Sequence, residues 1–409
     1  MFTRFSVDYR PLYFLASLGA GGMAVSFFMY LMFLVPHPHT PIPRLADLRT
    51  AYATYGLLGD TLITLTLVAI AAFALLHIDT LVANIRGMLA LRKDPAYQAL
   101  RTSNAEVGLM AIPLTLAMSF NVLFIVGALS VPGLWSVVEY LFPVALAAFA
   151  AIGGMAFFLF GRYLSRLLTE RDFNHEDSNH FSQVLPSFAF AMVAVGFSSP
   201  AAMSQNVATS TIGLVGAFVF TAAAVAWMFL KLPLAFGSML RNGMAVEAGP
   251  TLWMGIPIFT LFGITFMRSY AGIAHNVMGT EMSPVLPLVV LGLLVAAQLV
   301  MGAFGWMVMR KQGYFATYVR GEGRSIPAYG LICPGVALTV LAMFFIHWGL
   351  VSNGIVERFS VPHLALLAAV GALQVITVVT LLRLNRKLFG QASTPAPVWT
   401  DEESVPVGA

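Results

Sequence analysis

Few residues in this 409-residue chain have the chemistry to hold a ligand or move a proton, and most of them stand in apolar surroundings. Arg268 lies in IFTLFGITFMRSYAG, His347 in LAMFFIHWGL and Asn121 in AMSFNVLF. An arginine ending an apolar run is either a fixed cation that concentrates anions or a charge complementing a helix C-terminus and reaching to headgroups. His347 titrates near neutral pH and is suited to proton coupling, while its neighbour Trp348 equally suits an interfacial belt. Asn121 is a neutral donor, suited to replacing a water around an anion or to bonding another helix. Asp60, Glu139 and Lys231 lie near the ends of apolar runs, where interfacial water accommodates them. The run HEDSNH, His175 to His180, has no companion cluster and reads as a solvated linker rather than a metal site. Cys333 is the single cysteine, which excludes a disulfide framework, a CxxC redox motif and cysteine-ligated clusters. No glycine-rich strand–turn–helix cradle points to a nucleotide, and no catalytic constellation or cofactor site is read.

The elements that position these residues follow from composition. Hydrophobic residues make up 59% of the chain and charged ones 10%, too few charges to coat a soluble surface. A soluble enzyme, a disordered chain and a collagen-like fibre are excluded, and an all-α integral membrane protein is expected. Ten apolar segments are read at about 11–36, 55–78, 107–130, 134–161, 182–203, 209–230, 250–273, 283–309, 326–351 and 360–382. With the amino terminus in the cytoplasm, all but four of the 22 lysines and arginines fall on the inner side of these spans. The exceptions are Arg44, Arg49, Arg268 and Arg358. That asymmetry predicts ten spans with both termini inside, and it ascribes the +4 net charge to cytoplasmic loops rather than to nucleic-acid binding. Short outer links group the spans into five helical hairpins. Residues 1–10 form a cytoplasmic amino terminus, 11–385 the ten-helix domain and 386–409 a disordered cytoplasmic tail. Residues 80–101, apolar stretches interleaved with basic positions, are expected along the inner interface.

An internal repeat runs through the odd-numbered spans. AIPLTLAMSFN, VLPSFAFAMVA, GIPIFTLFGIT and ICPGVALTVLA place Pro113, Pro186, Pro257 and Pro334 about one hairpin apart. Proline removes a ladder hydrogen bond and kinks a helix, so four kinks at one depth predict helices facing one another around a cavity. Eight residues on, roughly 12 Å along the axis, stand Asn121, Ala194, Thr265 and Ala342. Small and polar side chains there either line a narrow pore or let helices pack closely. In the first span Ser17, Gly19, Gly21 and Gly22 occupy the corresponding region, where glycine allows bending and close approach.

The opening YFLASLGAGGMA, the repeated proline and the ten-span hairpin layout resemble the tellurite-resistance/dicarboxylate transporter family, bacterial relatives of the plant slow-type anion channels. The resemblance covers residues 10–385 and rests on pattern and topology. It implies a quasi-fivefold arrangement of five hairpins, with odd helices around a central pore and even helices toward lipid. It further implies homotrimers in a bacterial inner membrane and passage of small anions or carboxylates. In that family an aromatic precedes the ninth-helix proline and plugs the pore; here Cys333 holds that position. The gate then lies elsewhere, with Phe188, Phe259, Phe262 or Phe344 as candidates, or the pore has no plug.

The expected function is passive passage of a small anion (chloride, nitrate, a sulfur oxyanion or a carboxylate) without catalysis. The scarcity of charge inside the spans favours a pore that selects by shape and neutral donors over a charged binding site. A proton-coupled carrier of mono- or dicarboxylates, with Arg268 and His347 as coupling groups, is the first alternative. A quinone-binding anchor subunit of a redox enzyme is the second, although His77, His347 and His363 offer no evident central haem pair.

Overall fold

The computed structural model describes residues 5–169, 180–280 and 282–389. Five residues of the HEDSNH run and all but the first four of the expected tail lie outside them. The described chain is all-helical, with ten helices long and apolar enough to cross a membrane. They are α1 Pro11–Leu34, α2 Gly56–Leu91, α3 Asn104–Ser130, α4 Leu134–Thr169 and α5 Phe181–Met203, followed by α6 Val207–Asn242, α7 Val246–Met278, α8 Val285–Lys311, α9 Ile326–Val351 and α10 Val361–Leu388. The ten apolar runs of the sequence are these ten helices, and the protein is an integral membrane protein by their length and composition.

Burial sorts the helices by parity. In the most apolar window of each odd helix 56–94% of residues are buried, against 17–39% in the even helices. Leu58, Leu62 and Leu65 on α2, Val289 and Leu293 on α8 and Val375 and Ile376 on α10 are exposed. Water does not tolerate apolar surface on that scale, and lipid does. Among the odd helices, α1 packs against α3 and α9, α5 against α3 and α7, and α7 against α9. Each even helix packs on the odd helix before it, and α4 leans on α5 as well.

Glycine sets the closest approaches. A Cβ on Gly19 would stand 2.8 Å from Ile332, and one on Gly21 would meet Met118 and His77, so GAGG lets α1 press against α2, α3 and α9 together. At Gly213 the obstacle is backbone: a Cβ would lie 2.8 Å from the Phe197 carbonyl oxygen, which explains how α6 seats flush on α5.

The prolines act differently from the expected kinks. Pro113, Pro186, Pro257 and Pro334 each occupy the second or third residue of an α-helical stretch that follows a 3₁₀ lead-in. Those lead-ins are Asn104–Met110, Phe181–Val184, Val246–Trp253 and Ile326–Leu331, and α1 opens likewise on Pro11–Tyr13. A helix's first turn has no intrahelical use for its N–H groups, so proline costs nothing there. The carbonyl four residues earlier loses its α-type donor, and the tighter i→i+3 pattern takes up the preceding residues.

Two further expectations change, and the link after α1 proves to be structured. Residues 80–91 continue α2 without a break rather than lying along the interface. The long link after α1 contains a helix, Leu45–Thr54, whose Asp47 accepts from the Arg44 backbone N–H at 2.8 Å and from its guanidinium at 3.0 Å. Burial raises the Asp47 carboxyl, but those bonds outweigh it and hold the group below the usual range. The cap therefore persists at neutral pH and is lost as pH falls through that lowered value. Finally, α10 runs to Leu388, past the expected start of the tail, and Phe389 forms a bridge with Phe5.

Candidate functional site

The α-helical parts of the odd helices present one stripe each to a common cavity of about 460 Å³. Along α1 the wall includes Leu18, Gly22, Val25 and Met29; along α5, Phe188, Met192, Val195 and Ser199. Along α7 it includes Pro257, Leu261, Ile264 and Arg268, and along α9 Cys333, Ala337, Val340 and Phe344. Offsets of four, seven and eleven residues return to within about 40° of the starting direction on a helix that turns 100° per residue. On α3 the same stripe contributes Met118, Asn121 and Ile125.

This register explains which sequence candidates meet. Gly19, Asn121 and Pro257 line the cavity, with Cys333, Phe188, Phe344 and Arg268. Ser17, Pro113, Pro186, Ala194, Thr265, Pro334 and Ala342 do not. Pro257 apart, the prolines themselves stand off the stripe, so positions counted from them reach the wall only at Asn121. Ser17 faces α2 instead, where its hydroxyl donates to the His77 carbonyl oxygen at 2.9 Å, and His77 Nε2 lies 2.9 Å from Ser119 Oγ on α3. Ala194 is fully buried in the core, and the Thr265 hydroxyl is buried outside the wall. Phe259 and Phe262 are half-buried and pack on the core away from the cavity.

Arg268 is the single charged residue in the cavity wall. The sequence suggested a helix-terminal position, but α7 continues to Met278, ten residues beyond it. Its Nη1 donates to Ser199 Oγ at 2.6 Å and reaches the Val195 carbonyl oxygen at 3.5 Å. Among the described residues no carboxylate lies within ion-pair distance of it. The N–H donors on Nε and Nη2 have no protein acceptor there and remain for a guest. A part-buried guanidinium with an apolar wall around it and no counter-charge is costly, so an anion in the cavity would supply what the described residues do not.

The other polar groups of the wall are neutral. Asn121 Nδ2 points at Met192 Sδ, 3.7 Å away and a weak acceptor, so its amide is only lightly held. Thr260 donates to the Ala337 carbonyl oxygen at 2.9 Å and receives Gln298 Nε2 at 2.7 Å, which ties it into the scaffold. Sequence reasoning missed Ser199 and Thr260; Ser199 continues the α5 stripe of Phe188, Met192 and Val195, a periodicity present in the residues, while Thr260 borders the α7 stripe beside Leu261.

Elsewhere the structure pairs two histidines. His347 and His363 approach to 3.3 Å between Nε2 atoms, His347 Nδ1 lies 2.8 Å from the Met343 carbonyl oxygen, and the Phe359 N–H donates to His363 Nδ1 at 3.1 Å. One set of neutral tautomers satisfies all three: His363 donates from Nε2, and His347 donates from Nδ1. His347 is separate from the main cavity and lines a shallower one with Phe33, His37 and Arg358. Rings in direct contact leave no gap for a porphyrin between them, unlike a bis-histidine haem site.

N-terminal to the stripes the odd helices pack solid, with Tyr13, Leu109, Met110, Val184, Leu185 and Tyr329 in one buried cluster. Phe5 and Phe389, which bridge one another, pack on this cluster, and none of its lead-in residues lines the cavity. Set beside models of known protein families and beside curated proteins, the sequence matches none.

Proposed function

We propose that this protein passes small anions across a membrane, with Arg268 as the residue that receives them. The observation that carries the reading is a guanidinium lining an apolar cavity, hydrogen-bonded to a hydroxyl and a carbonyl and, among the described residues, without a carboxylate partner. The contacts of α1 with α3 and α9, together with those linking α3, α5, α7 and α9, support a quasi-fivefold ring of odd helices around that cavity. Exposed even helices support five hairpins with their outer members toward lipid. The proposal accords with the resemblance to the tellurite-resistance/dicarboxylate transporter family, and homotrimers follow from that resemblance. The excess of basic residues in the links on the side of the termini supports a cytoplasmic location for both ends. Cys333 in the wall agrees with a path past the position where that family carries an aromatic.

A charged site replaces the purely neutral selectivity expected from composition. In a medium that solvates charge poorly, one unpaired cation lowers the cost of bringing an anion into the cavity by several kcal/mol, on the order of the insertion cost of the charge itself. The test is nitrate flux into proteoliposomes containing the full chain or Arg268→Gln. We expect the variant to retain its monodisperse profile and lose at least about tenfold in flux. Wild-type flux from a folded Arg268→Gln would refute the reading.

A further inference from the structure

We infer that the cavity takes an amphiphilic organic monoanion, with an acidic head on Arg268 and an apolar body admitted from the bilayer between α3 and α4. This deepens the reading of Arg268 as an anion site and rests on it.

Size and lining carry the first half. A cavity of about 460 Å³ far exceeds the needs of a halide or nitrate. Apolar cavities near 150 Å³ already hold benzene, and pockets of roughly 300–1,000 Å³ bury drug-sized ligands. Beyond Arg268, Ser199, Asn121 and Thr260 the wall is almost wholly hydrocarbon and aromatic, including Phe188, Met192, Leu261 and Phe344. A bare inorganic ion would leave most of that wall facing empty space or unbonded water, whereas an apolar body fills it. The charge of the guest follows from counting cations. With Arg268 the single charged group of the wall, a second negative charge would be desolvated against hydrocarbon without compensation. A monoanion is matched, and a dicarboxylate is not.

The route follows from where the wall becomes surface. Leu123 of α3 and Leu141 and Val144 of α4 line the cavity and are also exposed, at 66%, 40% and 63% of their areas. Leu123 and Val144 are among the most exposed residues of the wall, so the cavity reaches the lipid-facing surface at the seam between these two helices. An amphiphile partitions into the bilayer with its head at the interface, and such a seam receives it body first.

Two sulfonates with the same head and different bodies test the inference, because both stay ionised and neither crosses lipid as a neutral acid. Competition of methanesulfonate and benzenesulfonate against nitrate flux is measured in proteoliposomes of the full chain. Benzenesulfonate should inhibit at concentrations at least about tenfold lower, the worth of burying a ring, and should itself be taken up. Val144→Trp, at the lipid-exposed rim of the cavity, should slow benzenesulfonate at least about fivefold more than it slows nitrate. Nitrate flux with equal, weak inhibition by both sulfonates would overturn this inference and leave the anion reading standing. Absence of flux and of competition by every anion would overturn the anion reading. An unaltered benzenesulfonate rate in Val144→Trp would overturn the lateral route.

Discussion

Arg268 and Cys333 both line the cavity, yet they differ in how far the sequence revealed them. A lone arginine in an apolar run announces itself, but its depth depended on where α7 stops, and the helix runs ten residues further than a charge at that place would suggest. Cys333 drew attention by standing before Pro334, and it faces the cavity as expected from that position. The wall at Cys333 is a small side chain among larger ones, Leu18 and Phe188 included. Replacing it with phenylalanine inserts a ring at this point of the wall, a small-to-large change whose bulk the cavity absorbs without displacing the core. Cys333→Phe should therefore fold normally and reduce nitrate flux at least about fivefold. Measuring initial rates in matched proteoliposomes checks this, and an unchanged rate would place the conducting path elsewhere.

At the scale of helices, the apolar runs and their parity were legible because lipid demands long uninterrupted segments and an interior demands small residues. The register was not. The proline repeat marks where each α-helical stretch starts, and an offset of one residue turns a side chain by about 100°, enough to send Ala194 and Thr265 into the packing between helices. Polar links between helices were equally hidden, because partners distant in sequence make them. Glu106, at the start of α3, accepts Arg101 Nε at 2.6 Å and Arg166 Nε at 3.0 Å, while Arg166 also donates to the Ser103 carbonyl oxygen at 2.8 Å. That knot ties α4 to the lead-in of α3, and the carboxylate side chain is 4% exposed. Glu106→Leu strips two partly buried guanidinium groups of their counter-charge. Thermal unfolding of the purified protein should show a loss of about 3–5 kcal/mol, as expected for breaking one side of a buried pair. A loss below about 1 kcal/mol would mean that water already screens the knot.

For the molecule as a whole, the segments just before α1 and just after α10 pack together at one face of the bundle. The Ser6 N–H donates to the Leu388 carbonyl oxygen at 3.0 Å, and Tyr329 OH donates to Asn385 Oδ1 at 2.8 Å. Phe5, Tyr13, Tyr329 and Phe389 form one aromatic cluster, with Tyr13 and Phe389 centroids 5.5 Å apart and Tyr329 and Phe389 6.3 Å apart. Sequence reading assigned residues 386–389 to a tail because their composition gives no sign of a partner, and the partner is the segment at Phe5 and Ser6, ahead of α1. Tyr329 stands one helical turn before Cys333, so the cluster packs directly beneath the cavity wall. Phe389→Ala removes a ring that is 3% exposed and leaves space beside Tyr329. If the clasp bars this face, the variant should admit a charged methanethiosulfonate reagent to Cys333 at least about tenfold faster than wild type, on the scale of the few kcal/mol that a buried phenylalanine contributes. Cys333 is the only cysteine, so any label incorporated reports on this one place, and Cys333→Ala gives the zero. An unchanged labelling rate in a folded Phe389→Ala protein would assign the closure to the helix lead-ins alone, with the Phe5–Phe389 contact serving only to hold α1 and α10 together.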